Sequence, residues 1–587
     1  MATVLPAVDV VFVGFGLVGS SIAAEISDKT SLKMVALERG PYRDTFPDFL
    51  QDHFDEWRYA VQSELFQDLS RNTITFRNND GQTALPMREF GSFLPGNGVG
   101  GAMVHWNGQS WRFLDHFFNY RSHLEERYGP DFLPEDTTIQ DWPMTYADIE
   151  PFYMQYEKTF GIGGVAGNIN GELQPDGNQF EGFRSEAYPQ GPTKETYISS
   201  LFAEAAGKLG YHTFPTPSGT SSGAYTNPYG LSLGPCNYCG FCERFGCHTG
   251  AKSSPILMTV PKALSSGNLE IRQFSTVMKI NHQDGKASSV TYVDANGREV
   301  EQPADLIVVA AWTLENNRIM MMSGIGEIYD PAAGTGTVGR NYTYQTGGAG
   351  LTAWFEDKIM NRFMGSGATQ YAMDDFNSDN FDHTGLGFFG GGSITSGTSG
   401  ARPIDSNGPL PPGSPSWGSE WKAATAQWYN RSMGVGFQGE SPAYRQNHLD
   451  LDPTYKDAFG QPLLRMTFDY TDNEVKMIEW VGENVHAKLA EALDATTVVV
   501  RNTRGTYSIV PYQSTHCQGG TVIASDPTLG PLNKYCQSWD VENVFVVGAS
   551  NFPQNAGYNP TATVGGLAFW VADAIINKYL PSPGALG

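Results

Sequence analysis

The sequence predicts a mixed α/β protein, α+β overall, in which a Rossmann-like nucleotide-binding domain is joined to a second domain built on an antiparallel sheet. Three observations predict this fold class. Residues 8–27 read as a buried apolar strand, a glycine turn and a helix, and residues 541–575 repeat the strand-to-helix crossing. Residues 346–499 have the pattern of an antiparallel sheet with helices. A chain of 587 residues also exceeds what one hydrophobic core covers, so two or more domains are expected.

The N-terminal crossing carries a nucleotide-binding motif. Gly14, Gly16 and Gly19 form a G-x-G-x-x-G, in which the first glycine allows a tight turn, the second lets the backbone approach a pyrophosphate and the third lets helix and strand pack closely. Glu38 ends the next strand at the spacing of a carboxylate that binds a ribose hydroxyl, and Arg39 follows it. This context predicts a dinucleotide site rather than a tight turn without a ligand, and the Glu-Arg-Gly ending favours FAD over NAD.

A second glycine-rich segment is expected to contact the same cofactor. It contains Asn97, Gly100, Gly101, His105 and Trp106. Glycines beside an amide, an imidazole and an indole predict backbone that wraps closely around a flat ligand.

The C-terminal segment supplies the candidate catalytic residues. His516 precedes a Gly-Gly pair, and the ordinary histidine pKa of about 6.5 suits it to take a proton from a hydroxyl. Gly548 follows a buried strand and is expected to approach the cofactor. Asn559 is predicted as the N-cap and Pro560 as the first residue of the last helix, followed by Thr561, so that the positive helix end faces a reduced flavin. The plainer alternatives are a loop cap for His516 and only an N-cap for Asn559.

Four of the six cysteines lie close together in the middle of the chain. Cys236, Cys239, Cys242 and Cys247 have the spacing C-x2-C-x2-C-x4-C. Zinc normally takes two separated ligand pairs, whereas sequential C-x2-C-x2-C is the spacing at which thiolates surround an iron–sulfur cluster. The spacing therefore favours iron–sulfur, with zinc, a disulfide or free thiols as alternatives.

These motifs together resemble the glucose-methanol-choline (GMC) oxidoreductases. The Gly-Gly-x3-His-Trp segment that ends at His105 and Trp106 resembles their flavin-contacting loop, and His516 with Asn559 resembles their His-Asn pair over the flavin. The resemblance implies a GMC fold with FAD, His516 as the general base and Asn559 as the residue that holds the substrate hydroxyl. In related pyranose oxidases and membrane-bound sugar dehydrogenases the histidine at the place of His105 can be bonded to the flavin, so a covalent link is expected here, with a neutral histidine beside the flavin as the alternative.

Within this family the chain is similar to the flavoproteins of the membrane-bound gluconate 2-dehydrogenase group and of 2-ketogluconate, sorbitol, fructose and glucose dehydrogenases. The resemblance implies oxidation of a sugar or sugar-acid hydroxyl, D-gluconate to 2-keto-D-gluconate in the favoured case. It implies hydride transfer to FAD and electron flow through a 3Fe-4S cluster, or a 4Fe-4S cluster, to a multihaem cytochrome c subunit and a quinone. It also implies a small subunit that carries the export signal, and so a peripheral place on the periplasmic side of the membrane. The alternatives are a sugar oxidase that uses O2 and a non-catalytic FAD-binding electron-transfer subunit.

The FAD-binding domain is predicted to be discontinuous. The remaining segments are a cover and the substrate domain. The predicted divisions are residues 1–165, 235–345 and 500–587 for the FAD-binding domain, with 235–250 as the iron–sulfur segment, 166–234 for the cover and 346–499 for the substrate-binding domain.

Charge and hydropathy exclude other functions. A formal net charge of −24 without a basic stripe argues against nucleic acid as a partner. The chain has no run of eighteen apolar residues, so no direct membrane span is expected. A carboxylate substrate would need a cation near the flavin, and Arg112, Arg340 and Arg445 are the candidates.

Overall fold

The computed structural model describes residues 2–49, 65–70, 72–88, 93–362, 364–397, 408–511 and 513–587. The strands are β1 (Thr3–Val4), β2 (Val8–Val13), β3 (Met34–Leu37), β4 (Thr75–Arg77), β5 (Leu85–Pro86), β6 (Asn168–Ile169), β7 (Glu172–Leu173), β8 (Thr213–Pro215), β9 (Tyr225–Thr226), β10 (Ser232–Leu233), β11 (Leu269–Arg272), β12 (Thr276–Gln283), β13 (Lys286–Val293), β14 (Glu299–Val309), β15 (Arg340–Tyr344), β16 (Gly350–Trp354), β17 (Gln370–Met373), β18 (Gly392–Gly397), β19 (Ser432–Gly439), β20 (His448–Lys456), β21 (Pro462–Thr467), β22 (Thr497–Arg501), β23 (Cys517–Gly520) and β24 (Val544–Val546).

The α-helices are α1 (Leu17–Lys29), α2 (Tyr120–Tyr128), α3 (Tyr146–Phe160), α4 (Tyr197–Lys208), α5 (Pro255–Met258), α6 (Val260–Ser265), α7 (Thr313–Ser323), α8 (Gly418–Trp428), α9 (Asp472–Val481), α10 (Ala487–Ala492) and α11 (Thr561–Ala574).

An eight-stranded sheet forms the nucleotide-binding half of the molecule. Its main path is β11-β3-β2-β14-β13-β12, and β1 and β24 also pair with β14. Strands β11, β3, β2 and β14 follow one another across the sheet and are parallel, and β24 pairs parallel with β14. Val10 lies opposite Met34 on one side and Leu306 on the other. The central strands read as near-continuous apolar runs because parallel strands are covered on both faces, and α1 and α11 pack together in this core. The predicted Rossmann-like domain is confirmed.

A six-stranded antiparallel sheet forms a second core. Its order is β22-β16-β19-β18-β17-β8, and α4, α9 and α10 contribute to the same apolar cluster. Helix α9 begins with a capping box between Thr471 and Glu474, and Met477, Ile478 and Val481 bury one face of it. The predicted antiparallel second domain is confirmed in kind. Strand β8 comes from the predicted cover segment and joins this sheet, so the segment boundaries stay a prediction.

A short two-stranded ladder positions the candidate base. Strands β15 and β23 run antiparallel, with Tyr344 opposite Cys517. Because the register continues by one residue at each strand end, Gln345 and His516 meet.

The glycine, proline and serine content of residues 392–421 predicts one long loop. That prediction is wrong at both ends, since residues 392–397 form β18 and α8 begins at Gly418. Residues 398–407 lie outside the described part of the chain. In the ranges that the structure describes, no helix is both long enough and apolar enough to cross a bilayer.

Candidate active site

A cavity of about 490 Å³ brings the separate sequence motifs together. Its walls come from the β2–α1 turn, the glycine-rich segment before α2, the start of α7 and the segments before β23 and α11. The six-stranded sheet closes it with side chains from β17, β18 and β19. The cavity therefore lies between the two cores, where a ligand would contact both.

The β2–α1 turn is a backbone cradle. Gly14 has φ +85°, and a Cβ there would lie 2.7 Å from the carbonyl oxygen of Ala310, so a side chain is excluded. Gly16 and Gly101 face each other, with a Cβ on Gly101 only 3.1 Å from the Gly16 Cα. Helix α1 starts after Gly16 with no side-chain cap, which leaves its first N–H groups for an anion. Gly19 does not line the cavity and instead lets α1 pack on the turn, since its Cβ would lie 2.6 Å from the Gly14 oxygen.

Glu38 and Arg39 line the same end of the cavity. The Glu38 carboxylate is buried and accepts the N–H groups of Phe15 at 3.0 Å and Gly40 at 2.9 Å, which fixes it beside the turn. Arg39 forms an ion pair with Glu315 at 2.9 Å, and both line the cavity.

Of the five predicted residues in the glycine-rich segment, Gly101, His105 and Trp106 line the cavity. Asn97 and Gly100 do not. Asn97 is held by its backbone, and Gly100 (φ +91°) packs so tightly that a Cβ would lie 2.7 Å from the Val104 side chain. These two residues shape the loop rather than face the cavity.

His105 is a neutral imidazole with one ring nitrogen unoccupied. Its Nε2 donates to the Leu94 carbonyl at 3.0 Å, so Nδ1 carries the lone pair, and Nδ1 is buried without a partner among the described residues. Burial first, then the positive charge of Lys252, lowers the pKa of His105 to about 3. A nucleophilic nitrogen at the cavity wall fits either a covalent link to a flavin or packing beside one. Trp106 is fixed through Nε1, which donates to the Ser253 carbonyl at 2.9 Å.

His516 is placed as a neutral base. Its Nδ1 bonds to the side-chain oxygen of Gln345, and because a carbonyl oxygen only accepts, Nδ1 carries the proton and Nε2 the lone pair. The backbone is held as well, since Asn555 Nδ2 donates to the His516 carbonyl at 3.1 Å. Burial lowers the pKa of His516 to about 4, which keeps the ring neutral at physiological pH.

Asn559 lines the same cavity as His516. The predicted capping geometry is wrong by one residue, because Pro560 is the N-cap and α11 begins at Thr561. The Asn559 side chain therefore makes no cap bond, and its Oδ1 is buried without a partner in the described ranges. Gly548 (φ +152°), Pro560 and Thr561 also line the cavity, as predicted positions that the fold brings together.

Several neutral polar residues at the cavity were missed by the sequence interpretation. They are Gln109, Gln370, Thr395, Gln438 and Gln513. No local pattern marks such single side chains, since they become neighbours only when the two sheets meet.

The three arginines proposed for a carboxylate substrate do not line the cavity. Arg112 is buried and pairs with Glu157 at 2.8 Å and Glu150 at 3.1 Å, so its charge is already neutralised. Arg340 and Arg445 lie away from the cavity lining, where burial, and to a smaller extent the charge of Arg445, lowers the pKa of Arg340.

The four clustered cysteines are free thiols and do not line the cavity. Burial raises the pKa of Cys236 to about 11 and that of Cys242 to about 12, and it also raises that of Cys239. Cys247 accepts the backbone N–H of Lys252 at 3.4 Å. Across the part of the chain that the structure describes, no group of three or more His, Cys, Asp or Glu residues is arranged to hold a metal ion. The thiols as placed do not form the ligand set that an iron–sulfur cluster requires, so the cluster stays a prediction.

A glycine cradle on a Rossmann-like sheet, facing a neutral histidine and an amide, defines a class of dinucleotide-dependent oxidoreductases. Family models described as GMC oxidoreductase match residues 190–346 and 443–568. The gluconate 2-dehydrogenase flavoprotein of Pantoea cypripedii is 43% identical over 100% of this chain and 96% of its own length. The chain belongs to the GMC oxidoreductase family, as the motifs predicted.

More distant relatives are consistent with that membership. The fructose dehydrogenase large subunit of Gluconobacter japonicus is 23% identical over 97% of this chain and 98% of its own length. A 2-methyl-1,2-propanediol dehydrogenase of Mycolicibacterium austroafricanum is 25% identical over 99% of this chain and 97% of its own length. A solved structure of an Aspergillus oryzae formate oxidase variant matches 99% of both chains with a TM-score of 0.58 at 12% identity, which shows a shared fold. The protein is an FAD-dependent oxidoreductase that acts on a CH–OH group.

Proposed function

We propose that the protein is a dehydrogenase that oxidises a secondary hydroxyl of a sugar acid, with D-gluconate to 2-keto-D-gluconate as the reaction. The observation that carries the proposal is the neutral His516, oriented by Gln345 and placed with Asn559 at the wall of the cavity. The identity of the sugar acid is supported by the 43% identical relative named as a gluconate 2-dehydrogenase flavoprotein.

The cavity residues fit FAD. The glycine cradle at Gly14 and Gly16 suits the pyrophosphate, Glu38 suits a ribose hydroxyl, and Gly101 and His105 suit the flavin ring. When bound there, FAD supplies the acceptor for a hydride from the substrate carbon. The link between His105 and the flavin stays part of this proposal.

The chain's own residues handle the hydroxyl. His516 takes the hydroxyl proton at Nε2, which is the nitrogen that Gln345 leaves with a lone pair. Asn559 lines the same cavity, and its Nδ2 would donate to the oxygen of that hydroxyl, since the hydroxyl's only proton goes to His516. Asn559 is buried and His516 is partly buried, which limits the access of water to the proton that moves.

The partners and the electron outlet belong to the same proposal. A small subunit, a cytochrome c acceptor, a quinone and a periplasmic position are supported by the family resemblance and by relatives named as a flavoprotein and as a large subunit. The thiol geometry lends no support to a cluster, so no electron step is assigned to the cysteines.

His516→Ala tests the proposal. The variant should retain FAD but lose substrate-driven flavin reduction by about 10²–10⁴-fold, the usual worth of a positioned general base. The measurement is anaerobic mixing with D-gluconate, followed by the flavin absorbance. His212→Ala, at a half-exposed histidine away from the cavity, is the matched control. Undiminished reduction in His516→Ala would refute the catalytic assignment, and stoichiometric hydrogen peroxide from the wild type in air would favour the oxidase alternative.

A further inference from the structure

Arg504 is a half-buried cation beside the part of the cavity that contains His516. It lies in the loop after β22, and its Nη2 contacts the side-chain oxygen of Gln513 and the hydroxyl of Tyr470. The guanidinium carbon lies 4.1 Å from the centre of the Tyr470 ring. Gln513 lines the cavity in the same segment as His516. Arg504 is therefore one side chain away from the cavity.

The charge of Arg504 is not neutralised by a carboxylate. Among the described residues, none of its nitrogens forms an ion pair, and its Nε is buried without a hydrogen-bond partner. The charge of Asp469 raises the pKa of Arg504 without an ion pair between them. The Asp469 Oδ1 instead accepts the N–H groups of Tyr470 and Tyr507. Burial without a paired acid lowers the pKa of Arg504 from its usual value.

Three other arginines line the cavity and differ in this respect. Arg39 pairs with Glu315 at 2.9 Å, Arg318 with Asp457 at 2.6 Å and Arg244 with Glu243 at 3.8 Å. A cation that loses water without a partner is unfavourable, and pairing with a carboxylate recovers part of that cost. The uncompensated charge of Arg504 therefore marks a place where an anion is favoured.

Gln513 connects Arg504 to the cavity and can present a hydrogen-bond donor to an anion there. Its Oε1 accepts from Arg504, which turns its Nε2 into the donor that remains for other groups. One hydrogen of Nε2 reaches only weakly to the Ser508 carbonyl, at 3.4 Å. An amide held in this way presents N–H rather than C=O to a ligand oxygen.

We propose that the Gln513 amide binds the substrate carboxylate, and that Arg504 behind it orients this amide and adds positive charge, which makes the site selective for sugar acids over neutral polyols. The inference rests on the proposed function. A carboxylate held at Gln513 sits close along the chain to His516, which suits oxidation of the hydroxyl next to the acid group. Other amides that line the cavity, such as Gln370 and Gln438, are left for the hydroxyls of the sugar chain.

The test compares two substrates that differ only in charge. D-gluconate and D-gluconamide carry the same hydroxyls, but the second has a neutral amide in place of the carboxylate. The FAD-loaded full-length enzyme is mixed anaerobically with increasing concentrations of each, and the dependence of flavin reduction on concentration separates the apparent dissociation constant from the limiting rate.

Three variants make the comparison specific. Arg504→Gln removes the charge and keeps an amide, and Arg504→Lys keeps the charge. Arg501→Gln removes an equal charge from an exposed position on β22 and is the matched control.

The dissociation constant for gluconate is expected to rise at least about tenfold in Arg504→Gln, the scale of one charge-assisted contact, and that for gluconamide to stay within about twofold. Arg504→Lys should recover part of the loss, and Arg501→Gln should behave as the wild type. Equal weakening for both substrates would show that Arg504 only supports the loop, and no change would show that it does not sense the substrate; either result overturns the inference while the proposed function stands. If the wild type is reduced by neither compound, the proposed function fails and this inference fails with it.

Discussion

At the scale of single residues, Gln345 decides which nitrogen of His516 accepts a proton. The neutral amide oxygen fixes the tautomer without stabilising an imidazolium, and burial lowers the pKa of His516 to about 4. The rate constant of flavin reduction should therefore be nearly constant from about pH 5 to pH 8 and fall only in stronger acid, since the base stays unprotonated above its pKa. Stopped-flow measurement across this range checks the profile.

Gln345→Glu should move that profile. A carboxylate in contact with the ring favours the imidazolium and should raise the pKa of His516 by about 1–3 units, so the rate should decline as the pH falls below about 6. Gln345→Met removes the acceptor without adding charge, and we expect a lower rate at every pH with no new inflection. An unchanged pH profile in Gln345→Glu would mean that Gln345 does not control the base.

Residues whose role depends on local spacing were predictable from the sequence. Gly14, Gly16 and Glu38 lie where the motif places them because strand, turn and helix are contiguous. Gln345 was not predictable, since it meets His516 only through the pairing of β15 with β23. Arg504 was equally hidden, because its missing partner is visible only in three dimensions.

At the scale of elements, the loop that leads into α11 is held by a buried polar network. The Tyr558 hydroxyl bonds to the Asp374 carboxylate, which also accepts from Asn178 Nδ2 at 2.6 Å. The Tyr558 ring stacks on Trp111 with centroids 4.8 Å apart. Since Tyr558 directly precedes Asn559, this network fixes the backbone beside the Asn559 amide.

Tyr558→Phe should loosen that loop while leaving the ring stack intact. The buried Asp374 carboxylate loses a donor, which should cost about 1–3 kcal/mol of unfolding free energy. Flavin reduction should slow several-fold as Asn559 loses its position, and chemical denaturation with stopped-flow kinetics measures both. Tyr197→Phe, at a half-exposed tyrosine, is the control. A destabilised variant with the wild-type rate would show that Tyr558 supports the fold and not Asn559.

Helices and strands with a strong local pattern were predicted in kind, but not always in extent. The start of α11 is one residue later than the Asn-Pro pair indicated, since Pro560 takes the N-cap position and no side chain caps the helix. Strand β18 lies in a glycine- and serine-rich segment with weak strand propensity, and its pairing with β17 and β19 overrides that preference.

At the scale of the whole molecule, stability is set by a negative surface and by buried groups that resist charging. The net charge of −24 is self-repelling at neutral pH. Burial raises the pKa of Glu440 to about 8 and of Glu474 to about 7, and it lowers the pKa of His116 and His486 to about 4. The two acids therefore lower the stability of the fold as the pH rises, and the two histidines lower it as the pH falls.

The sign of each contribution follows from linkage. A carboxyl whose pKa is raised on folding stabilises fully below its ordinary value of 4.5, and that stability is lost as the pH rises through about 7 for Glu474 and 8 for Glu440. A histidine whose pKa is lowered loses stability as the pH falls from 6.5 towards 4. The two effects oppose each other where these windows overlap, so the melting temperature should be highest near about pH 5–6.5 and decline as the pH rises to about 8.

Glu440→Gln isolates the alkaline side of this behaviour. In the wild type the Tyr120 hydroxyl donates to Glu440 Oε2 at 2.6 Å. Glutamine keeps an oxygen that can accept this hydrogen bond, but it cannot ionise. The variant should lose less melting temperature than the wild type between pH 6 and 9, by an amount that corresponds to about 1–3 kcal/mol, since each pK unit is about 1.4 kcal/mol. Glu420→Gln removes one negative charge from an exposed position on α8, and its melting temperature should decline with pH as that of the wild type does.

Added salt screens the −24 net charge and should raise the melting temperature of all three proteins at pH 9. It should leave the difference between Glu440→Gln and the wild type in place, because a buried group is poorly screened. Equal alkaline slopes for Glu440→Gln and the wild type would show that Glu440 does not carry the loss.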